Sequence, residues 1–198
     1  MIKPLLTASV WAATLATATI AQAEMWTLDG ANSKIGFGSV KSDVIGESHS
    51  FSGLSGTVSE EGMVALTIDL ATVDTGIDIR NERMQEHVFS MMPTAELMAE
   101  VDMGAMEALG VGETMTSTVE GTLMFLDEEV FVDLPVIAAR LGEDQVLIVS
   151  DGITYVSTEE LGIDAGIDTL MEIAGLERID RAVPVSVRLM FNAGDGST

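Results

Sequence analysis

The sequence predicts an all-β fold, an eight-stranded antiparallel barrel with one or two short helices. Three observations support this prediction. Apolar and polar residues alternate in about eight short segments, which is typical of strands that bury one face. Turns of hairpin length separate many of these segments. Eight is also the usual number of strands for a small closed barrel whose interior holds side chains or one ligand.

The alternating segments begin at "KIGF", where Ile35 and Phe37 share one predicted face. In "MVALTIDLATV", Leu66 and Ile68 share a face, with Thr67 between them on the other. Later segments repeat the pattern, and we expect each to place its apolar residues inside the barrel. Those residues are Leu97, Ala99 and Val101; Met115, Val119, Leu123 and Phe125; Val130, Val132, Leu134 and Val136; and Val185, Val187, Leu189 and Phe191. The segment "QVLIVS" adds a strand between the last two groups.

Turns and two helical stretches complete the predicted order of elements. Glycine and acidic residues mark turns at residues 59–62, 110–113, 126–129 and 141–144. Residues 81–89 have helical periodicity, with Met84 and Val88 four positions apart. Residues 164–173 have it as well, with an apolar stripe on Ile167, Leu170 and Met171. Both stretches are short, so they leave the all-β class unchanged, and no internal repeat or domain boundary is visible.

The first 23 residues have the composition of a secretory signal peptide. Lys3 provides a basic start, residues 5–20 form a nearly uncharged apolar run, and an A-x-A cleavage site ends at Ala23. We therefore expect cleavage after Ala23, one mature domain over residues 24–198, and a periplasmic location. No later stretch reaches the roughly 18 apolar residues that a membrane-spanning helix needs.

Charge and composition exclude several classes of partner. The chain carries 32 acidic and 9 basic residues, a formal net charge of −23. Such a surface repels nucleic-acid backbones and anionic lipid headgroups. We expect no nucleic-acid partner and no stable membrane anchor. The sequence leaves open whether the chain forms a homodimer. The absence of cysteine excludes disulfides, thiol nucleophiles and cysteine-bound metals.

Neither catalysis nor a metal site is predicted, so we do not expect an enzyme. The chain has no Gly-x-Ser-x-Gly or His-Glu-x-x-His motif. Its two histidines, His49 and His87, are far apart in sequence, whereas a zinc site needs three or four convergent ligands. Methionines crowd residues 91–106, but no Met-x-Met array for copper(I) is present. These flexible side chains are instead predicted to fill a core or an irregular apolar pocket.

Four stretches of the mature chain carry recognisable motifs. The first has Trp26, Leu28, Asp29, Ser33 and Phe37, and the second has Asp74, Thr75, Gly76, Arg80, Met84, Phe89 and Pro93. The third has Gly121, Thr122, Leu123, Pro135 and Val136, and the fourth is "STEELGID". In their order and spacing these stretches resemble the YceI-like family of exported lipid-binding proteins, and the resemblance spans essentially the whole mature chain. Asn32 stands where the family has His, Asn81 stands where it has an acid, and Thr158 and Leu161 are substituted.

The resemblance implies a lipocalin-like barrel that binds a long amphiphilic lipid, such as a polyisoprenoid or an isoprenoid quinone, in an apolar tunnel. That lipid is the expected ligand, and no other cofactor is expected. Strand parity and the helical stripe select the residues expected to line the tunnel: Ile35, Phe37, Leu66, Ile68, Met84, Val88, Phe89, Val119, Leu123 and Phe125.

Two other classes of function stay open at this point. The first is a ligand-free structural or stress-response module that acts through its acidic surface. The second is a hydrolase or isomerase of lipids, which would require a polar constellation inside the tunnel, and the sequence shows none.

A basic cluster interrupts the strands in "VDTGIDIRNERMQEHVFS", where Arg80, Arg83 and His87 lie within eight residues. One interpretation is a polar gate at the barrel mouth, with Arg80 donating hydrogen bonds to a carbonyl or phosphate of the lipid head group. The other interpretation is solvated pairing with neighbouring acids, which is the usual fate of surface charges. The acids in reach are Asp74, Asp78, Glu82 and Glu86. We favour local pairing and keep Arg80 as the candidate head-group contact.

Overall fold

A computed structural model describes residues 26–194, and the predicted signal peptide at residues 1–23 lies outside them. The described residues form twelve strands and three α-helices. The strands are β1 Trp26–Leu28, β2 Lys34–Lys41, β3 Ile45–Phe51, β4 Leu54–Val58, β5 Met63–Asp69, β6 Val73–Asp74, β7 Thr94–Glu100, β8 Thr114–Phe125, β9 Glu128–Gly142, β10 Gln145–Ser150, β11 Thr154–Ser157 and β12 Ala182–Ala193.

Eight of these strands close into an antiparallel barrel. Their order around the barrel is β1-β4-β5-β7-β8-β9-β10-β12, and pairing of β12 with β1 closes the ring. At the closure Trp26 lies opposite Ala193, and Leu28 lies opposite Phe191. The predicted eight-stranded antiparallel barrel is therefore confirmed.

The barrel wall continues beyond this ring at one end. There the first half of β12 pairs with β2 on one side and with β11 on the other. The wall extends from β2 to β3 and from β3 to the short strand β6. Within residues 26–194, β6 and β11 have no further strand partner. A helix follows each of them, and these helices complete the wall where no strand pairing exists.

The helices are α1 Asp78–Arg83, α2 Met103–Ala108 and α3 Asp164–Ala174, and α1 continues into a π-helical turn at Met84–Val88. The two predicted helical stretches correspond to α1 with its π-helical turn and to α3. The sequence prediction misses α2, because a six-residue helix is too short to develop an apolar stripe. The turn predicted at residues 110–113 accordingly joins α2 to β8 rather than two strands. No helix within residues 26–194 has both the length and the hydropathy needed to cross a bilayer.

The core follows the predicted alternation of side chains. Leu66 and Ile68 of β5 are buried, as are Val130 and Val132 of β9. Burial of each such side chain contributes about 1.5–3 kcal/mol to folding. The apolar residues of the strands therefore surround one continuous interior, and the helices cover it at one end.

A glycine allows the two helical segments of the wall to pack closely. Gly166 of α3 is buried, and a Cβ at this position would lie 2.3 Å from the backbone oxygen of His87 in the π-helical turn. No larger residue fits without moving backbone. The contact therefore sets how α3 sits against Met84–Val88.

Gly166→Ala tests this contact. Alanine favours a helix by about 1 kcal/mol relative to glycine, but overpacking against backbone costs about 1–3 kcal/mol. We therefore expect a net loss of unfolding free energy, measured by denaturant titration. The control is Gly46→Ala at an exposed position of β3, where an added Cβ meets no atom within 4 Å. A Gly166→Ala protein as stable as the control would contradict the close packing of the helices.

Candidate functional site

Two adjoining cavities occupy the barrel interior. Their volumes are about 460 Å³ and about 140 Å³. Leu97, Leu134 and Val187 line both cavities, so the two spaces meet at these side chains. The larger cavity lies within the roughly 300–1,000 Å³ range of small-molecule sites. The barrel therefore encloses room for a ligand instead of being filled throughout by its own side chains.

The predicted tunnel residues all face this interior. Eight of the ten line the larger cavity: Ile35, Phe37, Ile68, Met84, Val88, Phe89, Leu123 and Phe125. The other two, Leu66 and Val119, line the smaller cavity. Contact of these residues with a ligand stays a prediction.

Further lining residues are absent from the predicted set. Leu134 of β9 and Val187 of β12 lie on the predicted inward faces and line both cavities. Ile163, Ile167 and Leu170 line the larger cavity from the start and the body of α3. Their apolar stripe is visible in the sequence, but periodicity alone does not show which neighbour a stripe faces.

A row of four aromatic rings forms part of the larger cavity. The centroid of Phe37 is 5.1 Å from that of Phe51, which is 5.8 Å from that of Phe89, and Phe89 is 6.0 Å from Phe125. These separations fall in the roughly 4.5–7 Å range of favourable aromatic pairs. Phe89 follows the π-helical turn and is only 3% exposed. The row therefore holds the helical part of the wall against strands β2, β3 and β8.

The inward face of the β2–β3 hairpin changes from apolar to polar along its length. Its directly opposed pairs are Ile35 with Phe51, Phe37 with His49, and Ser39 with Glu47, and all six residues line the larger cavity. The sequence prediction misses His49 and Glu47, because the alternation rule expects apolar residues at inward positions. The available signal is Phe51, which lies two residues after His49 and so shares its face.

Glu47 pairs with two cations at the polar end of the cavity. Its Oε2 accepts a hydrogen bond from Arg80 Nη1 at 2.8 Å and lies 3.0 Å from Lys41 Nζ. Burial alone would raise the pKa of Glu47, but the hydrogen bonds from Lys41 and Arg80 outweigh burial and lower it. The expected pairing of Arg80 with its sequence neighbours is therefore wrong. The hairpin supplies its partner from 33 residues earlier in the chain.

The loop before α1 also holds Arg80. Arg80 Nη2 donates to the backbone oxygen of Thr75 at 2.5 Å. Asn81 Oδ1 accepts from the Thr75 backbone N–H at 2.9 Å and from the Thr75 hydroxyl at 2.6 Å. The asparagine that replaces the family's acid thus ties the buried Thr75 to the helix, and this fixes the start of Arg80's helix against the loop.

The remaining basic residues of the cluster differ in position. Arg83 lines the larger cavity together with Arg80. His87 Nε2 is 3.7 Å from the carboxylate of Glu86, the local pairing that the sequence predicts. No three histidine, aspartate or glutamate side chains within residues 26–194 are grouped so that they could hold a metal ion.

His49 is 6% exposed, and Phe37 packs against its ring at a centroid distance of 5.1 Å. Its Nε2 is 2.8 Å from the Ser39 hydroxyl. Burial lowers the pKa of His49 below its ordinary value of 6.5, and the nearby positive charge of Arg80 adds to the effect. The imidazole is therefore held in its neutral form.

His49 should make stability depend on pH. Because its folded pKa lies below 6.5, the unfolded chain binds more protons as the pH falls through that value, and the unfolding free energy decreases. We expect His49→Phe and His49→Gln both to remove this contribution, since neither side chain titrates. Denaturant midpoints between about pH 5 and pH 8 measure it. A loss of stability on acidification equal to that of the unmodified protein would contradict a buried neutral histidine.

Comparison with known proteins agrees with this architecture. The sequence model of the YceI-like domain matches residues 26–191. A polyisoprenoid-binding domain from Saccharophagus degradans, implicated in plant cell wall breakdown, has a TM-score of 0.82 at 33% identity, covering 85% of this chain and 98% of that one. BcnA from Burkholderia cenocepacia has a TM-score of 0.60 at 16% identity, covering 82% and 98%, a likeness of fold alone. No curated protein matches. The resemblance in the sequence is confirmed, and the chain belongs to the YceI-like family.

Proposed function

We propose that this chain is a periplasmic carrier of a long isoprenoid lipid, whose hydrocarbon tail lies in the two adjoining cavities. The observation that carries the proposal is the space of about 460 Å³ that the side chains of a closed barrel leave between them. Its lining is predominantly apolar, from strands on one side and from α1, the π-helical turn and α3 on the other. An interior of this kind suits a ligand that must be kept from water.

Apolar contact alone supplies enough affinity for such a tail. Each buried CH₂ group contributes about 0.8 kcal/mol, so roughly twenty buried carbons nominally give about 16 kcal/mol. The ordering of a flexible chain offsets a large part of this free energy. The tail therefore needs no polar partner, and polar contacts are left to orient the head group.

The lipid class is supported by a relative. The Saccharophagus domain, described as polyisoprenoid-binding, is 33% identical and matches 85% of this chain. Because the two chains share the same fold, with a TM-score of 0.82, a similar branched hydrocarbon is the simplest ligand. The periplasmic location rests on the signal-peptide pattern of residues 1–23.

The polar groups beside the cavity favour binding over catalysis. Glu47 is engaged by Arg80 and Lys41, and His49 by Ser39. A general base must reach the proton that it removes, and a nucleophile must reach its base. The Ser39 hydroxyl does lie within reach of His49 Nε2 at 2.8 Å, but His49 Nδ1 has no partner within residues 26–194 that would orient the ring as a base, so we assign these residues no catalytic role.

Leu134→Trp tests whether the tail crosses between the cavities. Leu134 lines both of them, so the larger indole would occupy their junction. Exclusion of only about two CH₂ groups is worth about 1.6 kcal/mol, or roughly tenfold in affinity. We expect about tenfold less bound long-chain lipid, quantified by native mass spectrometry of protein exported and purified without detergent.

The matched control lies on the same strand. Phe131 is 81% exposed and points outward, so Phe131→Trp should carry as much lipid as the unmodified protein. Equal loading of Leu134→Trp would rule out passage of the tail through the junction. An unmodified protein that is free of lipid, and that retains no added tetraprenyl chain, would refute the carrier and favour a ligand-free module.

A further inference from the structure

Two buried nitrogen atoms at the polar end of the larger cavity lack a hydrogen-bond partner. They are His49 Nδ1 and Arg80 Nε. Both side chains line the larger cavity. A buried polar atom without a partner destabilises a protein, and such atoms are rare in folded proteins. Two of them on neighbouring side chains point to a group that arrives with the ligand.

The contacts that Arg80 makes with the protein determine which of its N–H groups can bind a ligand. Nη1 donates to Glu47 at 2.8 Å, and Nη2 donates to the Thr75 carbonyl at 2.5 Å. Each of the two terminal nitrogens that would clamp a phosphate thus has one of its two N–H groups on a protein acceptor. Nε is the buried nitrogen of Arg80 that has no partner at all among the described residues, and its single N–H group can donate but never accept. It suits one oxygen atom rather than a multidentate anion.

His49 offers a second contact, in which Nδ1 can act as either a hydrogen-bond donor or an acceptor. Its Nε2 is engaged by the Ser39 hydroxyl at 2.8 Å, and that hydroxyl can either donate or accept. Nδ1 is therefore a donor in one tautomer and an acceptor in the other. A carbonyl oxygen takes the donor form, whereas a hydroxyl group can use either form.

The carboxylate of Glu47 disfavours an anionic head group at these two atoms, although Lys41 and Arg83 also line the larger cavity. Glu47 places a carboxylate directly on Arg80 and on Lys41. An arriving phosphate would have to displace Glu47 or lie beside it, and like charges repel strongly where water is scarce. His49 is neutral, because burial and Arg80 lower its pKa, so it adds no positive charge.

We propose that His49 and Arg80 form a head-group site for an uncharged carbonyl or hydroxyl oxygen, which Arg80 Nε and His49 Nδ1 bind together. The inference rests on the proposed function, since the hydrocarbon tail must occupy the cavity for its head group to reach this end. The neighbouring rings of Phe37 and Phe51 give a flat head group a surface on which to pack. A phosphate or diphosphate head group is expected to bind this site less well, because the Glu47 carboxylate already lies on Arg80.

Four probes that share one tetraprenyl tail distinguish the contribution of the head group to binding from that of the tail. They end in a benzoquinone, an alcohol, a phosphate and a plain hydrocarbon. Retention of each probe by the delipidated protein is measured by native mass spectrometry in competition with the hydrocarbon. We expect the quinone and the alcohol to be retained about tenfold better than the hydrocarbon and the phosphate, the effect of one or two hydrogen bonds.

Two variants remove the proposed contacts and keep the surroundings. His49→Phe keeps an aromatic ring beside Phe37, and Arg80→Lys keeps a cation for Glu47 but has no Nε–H group. Each should lower the preference for quinone and alcohol to the level of the hydrocarbon, with tail retention unchanged. The matched controls are His87→Phe and Arg188→Met, since neither residue lines a cavity. They should keep the preference.

The outcomes separate the head-group site from the carrier function. Retention of all four tails without preference would overturn the head-group site and leave the carrier intact. Better retention of the phosphate would overturn it in favour of an anionic head group. Retention of no probe would refute the carrier itself. Thermal unfolding of each variant verifies that the barrel is folded, and a preference that survives both substitutions in folded protein would also overturn the assignment.

Discussion

Closure of the strand ring between β1 and β12 is the constraint on which the rest of this structure depends. In a closed sheet every second side chain points inward, so the interior has to be filled by those side chains or left as a cavity. Here the inward positions hold mainly Leu, Val, Ile and Phe, and they leave two adjoining spaces. The cavity is thus a consequence of ring size and side-chain volume.

The sequence predicts the parts of this architecture that depend on short-range periodicity. Alternation gives the strands and their inward faces, and the spacing of Met84 and Val88 gives the helical segment after β6. Elements that lack such a periodic pattern are not predicted from the sequence. Helix α2 has only six residues, and β3 carries Glu47 and His49 at positions where the rule expects apolar side chains. Glu47 and His49 are polar because they contact Lys41, Arg80 and Ser39 in the folded chain, and no local pattern encodes those contacts.

The polar end of the cavity shows why spacing along the chain misidentified a partner. Acids at helical spacing from Arg80 are plentiful, yet its guanidinium turns inward to Glu47 on the hairpin. Exposed pairs contribute little because water competes for them, whereas a half-buried carboxylate shared by two cations does not face the same competition. Tertiary geometry therefore overrides the local pattern where burial raises the strength of a charge–charge contact.

The helical part of the wall has a kinetic consequence. Strands β6 and β11 each pair with a strand on one edge only among residues 26–194, and α1, the π-helical turn and α3 cover the space between them by side-chain packing. Displacing these helices breaks no inter-strand hydrogen bond, so this region opens at a lower free energy than the ring. In the proposed carrier, a local fluctuation of these helices gives the lipid a route of exchange during which the barrel stays folded.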